Sequence, residues 1–366
     1  MSMQPLSTPA ATRRAQSGLS LIELMVGMVI GLIGMIIIAA AMITNEDIKR
    51  TTVGANDAQI NGALSLYGIE RDLRMAGFGI ANTNAMGCAS ITYSRSGFAG
   101  AVPTFGLRPV VITDGGAGAS DTVQIVYSNL ASRSLPGLVS GAMAAAGTTV
   151  SLNDVTGFLA SGASTTARGD LVALVNGTTC SLHQVTAIDT ATSILTFAAA
   201  APFNAGTASP GYASGSYLFN LGAPVVRTYS IGANQSFDVV DVFQTPNSTL
   251  ASTLTSGATT IANGVVDLQA DYGVDTTGDG VIDAYNNTTP ANAAAWAQVI
   301  AVRVAVLVRS TQYFRPATPG GACSATTAAP TWSGGTFFMS DTLPSCYKYR
   351  AFETVVPLRN TIWKES

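Results

Sequence analysis

A short acidic loop in the last third of the chain has the residue types that bind calcium. Residues 275–283 read Asp-Thr-Thr-Gly-Asp-Gly-Val-Ile-Asp. Calcium loops take oxygen ligands from positions 1, 3, 5, 7 and 9, with glycine at position 6 for a sharp turn. The ligand positions are held by Asp275, Thr277, Asp279, the carbonyl of Val281, and Asp283, and Gly280 falls at the turn. Position 12 is Asn286 instead of a bidentate glutamate, so we expect modest affinity. An acidic β-turn without metal is the alternative.

A single carboxylate, Glu23, stands at the start of a long apolar run. Residues 24–43 contain no charged side chain, and as a helix they would span about 30 Å, the thickness of a bilayer's hydrocarbon core. Arg13 and Arg14 precede the run, so the positive-inside tendency predicts a cytoplasmic N-terminus. An acid at a membrane edge is costly and usually has a partner. Glu23 is therefore a candidate functional residue.

The chain has four cysteines and one histidine. In an exported protein, separated cysteines indicate two disulfides, with buried free thiols as the alternative. We favour Cys323–Cys346, which would close a loop rich in glycine, alanine and threonine, and this choice leaves Cys88–Cys180. His183 cannot complete a zinc cluster, and we expect it to be a strand residue. No nucleophile elbow, zinc-protease motif or phosphate loop occurs, so an enzyme is not predicted.

Composition and patterning predict an exported, mainly β head. Only 11% of residues are charged and the net charge is −3, without a basic patch that would suit nucleic acid. Short apolar or alternating runs separated by turn residues predict antiparallel strands. These are Thr122–Tyr127, Leu171–Asn176, Val185–Asp189, Ile194–Phe197, Val225–Ile231, Phe237–Phe243, Val265–Tyr272, Val299–Val308 and Phe352–Pro357. Low-complexity stretches near 130–168, 198–216, 245–263 and 317–337 are predicted loops, and Arg303 is predicted to lie in the sheet core.

The helical pattern continues beyond the apolar run. Ile60, Ala63, Leu64 and Tyr67 have i, i+3, i+4, i+7 spacing, and Leu66, Ile69 and Leu73 widen the stripe. We therefore predict one helix from Leu19 to about Met75, ended by Gly77 and Gly79, whose second half lays this apolar face on the head. The predicted fold class is α+β, with a long N-terminal helix packed on a large antiparallel β-rich head.

Residues 16–26, Gln-Ser-Gly-Leu-Ser-Leu-Ile-Glu-Leu-Met-Val, resemble the class III signal of type IV pilins and pseudopilins. The resemblance implies that a prepilin peptidase cuts between Gly18 and Leu19 and that the new N-terminus is methylated. Leu19 replaces the family's usual phenylalanine, and Glu23 becomes the fifth mature residue. A neighbouring subunit's Glu23 could then meet the ammonium group of Leu19. Three alternatives are a signal peptide cut after Ala41, an uncleaved anchor, and twin-arginine export through Arg13 and Arg14.

Further phrases are similar to the PilW-type minor pilins. Residues 70–78 resemble the helix end of that family, with a later Gly87-Cys88 phrase, and residues 272–275 and 299–310 resemble its loop and core strand. The resemblance implies residues 1–18 as a cleaved leader, 19–44 as the transmembrane and filament-core half of the helix, 45–79 as its amphipathic half, and 80–366 as the head.

The implied function is a minor pilin that primes type IV pilus assembly and forms part of the tip complex, with roles in twitching motility and cell adhesion. Implied partners are the prepilin peptidase, other minor pilins, the major pilin and a PilY-type tip adhesin. The implied location is the bacterial inner membrane, with a single span and a cytoplasmic N-terminus, and then the extracellular pilus at its tip. Two alternatives stay open: a J-type pseudopilin of type II secretion, and an exported calcium-dependent adhesin.

Overall fold

The computed structural model describes residues 18, 20–80, 82–94, 104–130, 135–161, 169–204, 209–243, 258–314, 316, 318, 320–339 and 344–362. The chain divides into two units, Met1–Val53 and Gly54–Ser366. Leu19 and the leader residues before Gly18 lie outside the described residues, so the structure does not bear on the predictions that concern them.

A single helix, α1, runs from Leu21 to Met75. Within the first unit, its segment Leu21–Glu46 has a mean hydropathy of 2.7 over its most apolar stretch, none of which is buried. Leucine, isoleucine, methionine and valine surround the helix on all sides, so it has no polar face to turn toward water. By length and composition this segment can cross a membrane.

In the second unit, α1 ends at a pair of glycines with left-handed backbone. Gly77 and Gly79 have φ of +78° and +74°, a region that favours glycine. The side-chain amide of Asn360 donates to the carbonyls of Met75 and Ala76 at 3.2 and 3.1 Å. These bonds satisfy carbonyl groups that the last helical turn leaves without an intrahelical partner. The predicted helix end is confirmed.

The rest of the described second unit is built from short helices and antiparallel strands. The helices are α2 (Thr83–Met86), α3 (Ala293–Ala297) and α4 (Arg359–Ile362), with a 3₁₀ turn at Pro344–Cys346. The strands are β1 (Val110–Thr113), β2 (Thr122–Tyr127), β3 (Gly137–Leu138), β4 (Thr149–Ser151), β5 (Leu171–Asn176), β6 (Thr179–Gln184), β7 (Ala187–Asp189), β8 (Ile194–Thr196), β9 (Tyr217–Gly222), β10 (Val225–Ile231), β11 (Ser236–Asp241), β12 (Thr259–Asn263), β13 (Val265–Val274), β14 (Ala284–Asn286), β15 (Val299–Arg309), β16 (Thr331–Trp332), β17 (Gly335–Thr336) and β18 (Tyr349–Pro357). The predicted α+β class with an antiparallel β-rich head is confirmed.

Two sheets share one hydrophobic core with residues 54–75 of α1, the part of the helix that belongs to the second unit. The first sheet has the order β1-β2-β10-β11-β12, and the second has the order β14-β13-β15-β18. Side chains from both sheets, among them Tyr229 and Val304, pack with Ile69 and Leu73 of α1. The helix end is thereby held against both sheets at once.

A further β layer is inserted between two neighbouring strands of the first sheet. β2 pairs with β10, with Tyr127 opposite Val225, and residues 128–224 leave and re-enter the sheet between them. This insertion holds a sheet of order β3-β9-β5-β6 and a smaller one of order β4-β8-β7. β5 is buried on both faces: Ala173 packs toward the cluster of Phe105 and Val126, and Leu174 packs toward Val150 and Leu195.

The described residues include both predicted disulfides. Cys88 pairs with Cys180, which joins the segment after α1 to strand β6 of the insertion. Cys323 pairs with Cys346 and closes the loop that precedes β18. The first bond ties a connection to the insertion, and the second closes a loop between β15 and β18.

The predicted packing face of α1 is confirmed at Ile69 and Leu73, which are buried, and is wrong for the turns before them. Ile60, Leu64 and Tyr67 are 58%, 46% and 66% exposed, and Ala63 is exposed as well. The buried face instead carries small residues in the first turns of the second unit and larger ones only near the helix end. Its members are Gly54, Ala58, Gly62, Ser65, Ile69, Leu73 and Ala76.

Close approach of the helix to the second sheet explains this choice. A β-carbon on Gly62 would lie 2.2 Å from the Phe352 ring, and one on Gly54 would lie 3.2 Å from the β-carbon of Ser310. Small residues let the helix backbone come within reach of β15 and β18, and larger side chains could not fit there.

Candidate functional site

The start of α1 carries the candidate assembly residue. Gly18 is exposed, and the backbone N–H of Leu24 donates to the carbonyl of Ser20 at 3.1 Å in the opening turn. Glu23 lies in that first turn and is exposed. A carboxylate is favoured there because unpaired N–H groups give a helix N-terminus a partial positive charge. The geometry places Glu23 where a second chain can reach it.

A second acid of the same helix, Asp72, is the centre of a buried polar network. Its side chain is 1% exposed. Nη1 of Arg227 donates to both carboxylate oxygens, at 3.1 and 2.9 Å, and the hydroxyl of Tyr229 donates to Oδ2 at 2.7 Å. Nε of Arg227 donates to Asp241 at 3.0 Å. Burial, followed by the Asp72 carboxylate, raises the pKa of Tyr229 far above its usual range, so the phenol stays a hydrogen-bond donor.

This network fixes the end of α1 to β10 and β11. Its central ion pair, between Asp72 and Arg227, was not predicted from the sequence. The two arginines in the last turns of α1, Arg71 and Arg74, are 58% and 55% exposed. Arg71 pairs with its neighbour Asp72, and Arg74 pairs with Glu70. Arg227 follows Asp72 by 155 positions, so no local pattern joins them.

The acidic loop is closed by its own amide groups. Asp275, which is 7% exposed, accepts from the N–H groups of Gly278 at 2.6 Å and Gly280 at 2.8 Å. Asp283 accepts from the N–H and the hydroxyl of Thr276, both at 2.7 Å. The hydrogen bond from Gly280 is the main cause that lowers the pKa of Asp275, and the hydroxyl of Thr276 is the main cause for Asp283. Both carboxylates are therefore charged at neutral pH.

The loop has donors of the right chemistry for calcium, but the described residues do not gather three acidic, histidine or cysteine side chains in a metal-holding arrangement. Asp279 accepts from the N–H of Val281 at 2.8 Å, and Val281 is 61% exposed. A cleft of about 340 Å³ lies beside the loop, between it and residues 297–300. The calcium site of Asp275, Thr277, Asp279, Val281 and Asp283 stays a prediction.

A serine and the histidine meet inside the insertion. Oγ of Ser181 lies 2.8 Å from Nε2 of His183 and 2.7 Å from the hydroxyl of Tyr212. All three residues are buried, and the His183 ring stacks on Phe197 with centroids 4.9 Å apart. Burial lowers the pKa of His183 to about 4. A serine next to a neutral imidazole has the residue types of a nucleophile and its base, but here both are closed to solvent. His183 lies on β6, as predicted.

Arg303 on β15, predicted in the sheet core, is held by an acid and two aromatic rings from other strands. Its side chain donates to Asp271 at 2.6 Å. Its guanidinium lies 4.0 Å from the ring centre of Tyr285 and 4.9 Å from that of Trp332. Cation–π contact on two sides makes this arginine a link between β14, β15 and the β16–β17 hairpin.

Two family models match the chain. Residues 13–39 match the prokaryotic N-terminal methylation motif, which contains Gly18, Leu19 and Glu23. Residues 228–360 match the family described as type IV pilus-assembly protein W, PilW. No curated protein and no solved structure matches.

A methylation motif at the start of an exposed apolar helix, followed by a β-rich head, supports a type IV pilin-like protein and fits anchoring in the inner membrane. The second match begins within β10 and extends past β18, so it contains every strand of the second sheet. Together the two matches support a PilW-type minor pilin, the class predicted from the sequence. They indicate a structural subunit that a prepilin peptidase processes and that interacts with other pilins.

Proposed function

We propose that this chain is a minor pilin that helps to prime type IV pilus assembly and forms part of the pilus tip complex. It enters the inner membrane through α1, is cut between Gly18 and Leu19, and joins other minor pilins and the major pilin through the new N-terminus. A PilY-type adhesin is its expected tip partner. Its role is assembly, and it carries out no catalysis.

The observation that carries the proposal is the position of Glu23. It lies in the methylation motif and in the first turn of a helix whose residues 24–43 are uncharged. Cleavage creates an ammonium group on Leu19 of a neighbouring subunit. Two unit charges about 4 Å apart gain roughly 4 kcal/mol at an effective dielectric near 20. A pair of this strength favours subunits in one axial register.

The decisive experiment is mass analysis of the N-terminus, on protein from producing cells with and without the prepilin peptidase. We expect a methylated Leu19 as the first residue, and retention of residues 1–18 when the peptidase is missing. Gly18→Ala gives a matched control, because it changes the cleavage site and leaves the apolar helix intact.

The location of the processed protein tests the tip role separately. We expect it in the sheared pilus fraction, at far lower abundance than the major pilin, and bound to other minor pilins. A product that begins after Ala41 would contradict the proposal and favour a secreted adhesin. A correctly cleaved product that is absent from pili but required for type II secretion would favour the J-type pseudopilin.

A further inference from the structure

The last strand of the second sheet, β18, has one edge that no other described strand covers. β18 stands at the end of the order β14-β13-β15-β18 and pairs with β15. At the two ends of this pairing, the N–H of Ser310 donates to the carbonyl of Lys348 at 2.7 Å, and the N–H of Leu358 donates to the carbonyl of Ile300 at 2.9 Å. Antiparallel residues alternate between bonded and non-bonded pairs, so the even-numbered residues of β18 bond to β15. The odd-numbered residues direct their N–H and C=O groups outward.

Three residues in the middle of this edge have both backbone groups open. Within the described residues, no hydrogen bond reaches the outward N–H and C=O groups of Ala351, Glu353 and Val355. All three residues are exposed. The pairing of β18 with β15 has no shift in register, and Pro357 stands only at the end of the strand. The edge is therefore regular and long enough to pair again.

The other edges of the two core sheets are short or blocked. β1 has four residues, and its Ile112 donates its N–H to the hydroxyl of Tyr272 at 2.6 Å and accepts from the hydroxyl of Thr289 at 2.9 Å. β12 has five residues and pairs with a shifted register, and β14 has three residues. Proteins commonly protect a sheet edge by such means, because an open edge pairs readily with another chain. In the described part of the two core sheets, the edge of β18 is the exception.

We infer that the edge of Ala351, Glu353 and Val355 binds an extended segment of another polypeptide as an additional β-strand. Backbone pairing along this edge satisfies the outward groups together and supplies affinity, while the side chains on the two faces of β18 select the segment. The head alone carries this edge, so binding there does not depend on cleavage of the leader or on Glu23.

The side chains of β18 define the chemistry of the incoming segment. On one face, Val355 is 44% exposed, which favours an apolar β-branched or aromatic residue opposite it. On the other face, Lys348 and Arg350 are exposed, and in the described part of the chain each lies over an aromatic ring without an acidic partner. An acidic residue opposite Arg350 supplies the missing charge. The segment therefore carries an apolar and an acidic residue about five positions apart.

A second copy of this chain does not fit this description. Two β18 edges that pair antiparallel over all three open residues place Glu353 opposite Glu353, and like charges directly opposite each other are destabilising. The same register places Arg350 opposite Val356, so the arginine gains no acidic partner. The occupant is therefore a strand from a different polypeptide.

The test is photo-crosslinking from two positions of the edge, in the full-length protein in producing cells. Benzoyl-phenylalanine replaces Ala351 or Val355 in separate variants, and a control replaces Leu159, which is 62% exposed and lies in the insertion. We expect adducts from both edge positions to one segment of a different polypeptide. The two attachment sites should lie about four residues apart, because paired strands advance together. Position 159 should give no adduct to that segment.

Several results of this experiment would overturn the inference. Adducts confined to this chain or to a second copy would assign another occupant to the edge. Attachment sites scattered over unrelated segments would exclude a paired strand. Adducts to lipid only, or no adduct from either edge position, would show that no strand binds there.

A substitution gives an independent readout. Ala351→Pro removes one outward N–H and leaves the hydrogen bonds between β15 and β18 in place, as is usual for proline on an edge strand. We expect it to lower the adduct yield from position 355 about tenfold. The matched control Ala351→Val keeps the N–H and the extended backbone, so it should keep the yield. Equal yields from the two variants would contradict the inference. If Ala351→Pro loses protease resistance, the spacing of the adducts from positions 351 and 355 decides.

Discussion

Two of the acidic side chains of helix α1 are in opposite situations. Asp72, in the last turn, is 1% exposed and is bound by Arg227, Tyr229 and Arg71 of its own chain. Glu23, in the first turn, is exposed. A buried carboxylate must have its partners in the same fold, because an unpaired buried charge costs several kcal/mol. An exposed one at the edge of an apolar span can take its partner from another molecule. One acid therefore serves the fold, and the other is available for assembly.

The strongest test of this comparison removes the buried acid. Asp72→Ala leaves Arg227 without its main partner, and we expect the free energy of unfolding to fall by about 3 kcal/mol, near the low end for a broken buried pair because Arg227 is 25% exposed. Chemical denaturation of the full-length protein in detergent measures the change. The matched control is Arg71→Ala, which removes a 58% exposed partner of the same carboxylate and should cost no more than about 0.5 kcal/mol. Equal losses would show that Asp72 has no special role.

His183 is buried among neutral side chains in the part of the chain that the structure describes, so its titration should behave differently. Burial lowers the pKa of His183 from 6.5 to about 4, so the folded head keeps it neutral while the unfolded chain binds a proton. Its contribution to stability is complete above pH 6.5 and is lost as the pH falls from 6.5 to 4. The loss approaches about 3 kcal/mol, at 1.36 kcal/mol per pKa unit.

Comparison with a variant isolates this effect. Burial raises the pKa of Asp121 and Asp267, which makes the pH dependence of the whole head a sum of opposing contributions. The useful quantity is the difference in unfolding free energy between the wild-type protein and His183→Gln, measured at pH 7 and pH 4. We expect the wild-type protein to lose about 3 kcal/mol relative to the variant over this range. A constant difference would mean that His183 is protonated or reachable in the folded head.

Glycines of α1 between Glu23 and Asp72 should have a smaller effect on stability, and its sign can be predicted at each position. Replacing glycine by alanine inside a helix ordinarily stabilises by up to about 1 kcal/mol. At Gly68 the nearest atom to a new β-carbon is Cδ1 of Ile261 at 3.5 Å, an ordinary contact, so Gly68→Ala should stabilise. At Gly62 the Phe352 ring would be 2.2 Å away, so Gly62→Ala should destabilise by about 1 kcal/mol. Thermal unfolding of both variants checks the opposite signs, and stabilisation by both would mean that Phe352 moves freely.

Local patterns predicted much of the fold. The strands Thr122–Tyr127, Leu171–Asn176 and Val225–Ile231 have the predicted bounds, because apolar runs of that length between turn residues have few other structures to adopt. β12 lies inside a stretch predicted as a loop, since its residues Thr-Thr-Ile-Ala-Asn have a weak apolar pattern and the strand is held by pairing with β11. Strands β6 and β9 were not predicted. Both pair with β5, which was predicted.

The helix face and the Asp72 network show what local patterns cannot predict. The spacing of Ile60, Leu64 and Tyr67 correctly indicates an apolar stripe, but periodicity does not say whether that stripe faces the head. The face that does pack on the head has glycine, alanine and serine, which have no hydrophobic signal. The pairing of Asp72 with Arg227 depends on the tertiary fold, because β10 comes beside α1 only after the whole insertion has been passed. Motif residues such as Glu23 are different, because their spacing along the chain is itself the signal.

The exposed acid should have the smallest effect on the fold and a large one on assembly. For Glu23→Ala we expect the unfolding free energy of the head to stay within about 0.5 kcal/mol of the wild-type value, since Glu23 does not belong to the hydrophobic core described for the head. The same variant should be depleted from sheared pili, because the subunit has lost its partner for a neighbour's ammonium group. Glu23→Gln keeps the shape and removes the charge, so equal depletion by both variants assigns the effect to charge. Normal piliation with either variant would contradict the role of Glu23 and leave the buried acid as the only one of the pair with a function.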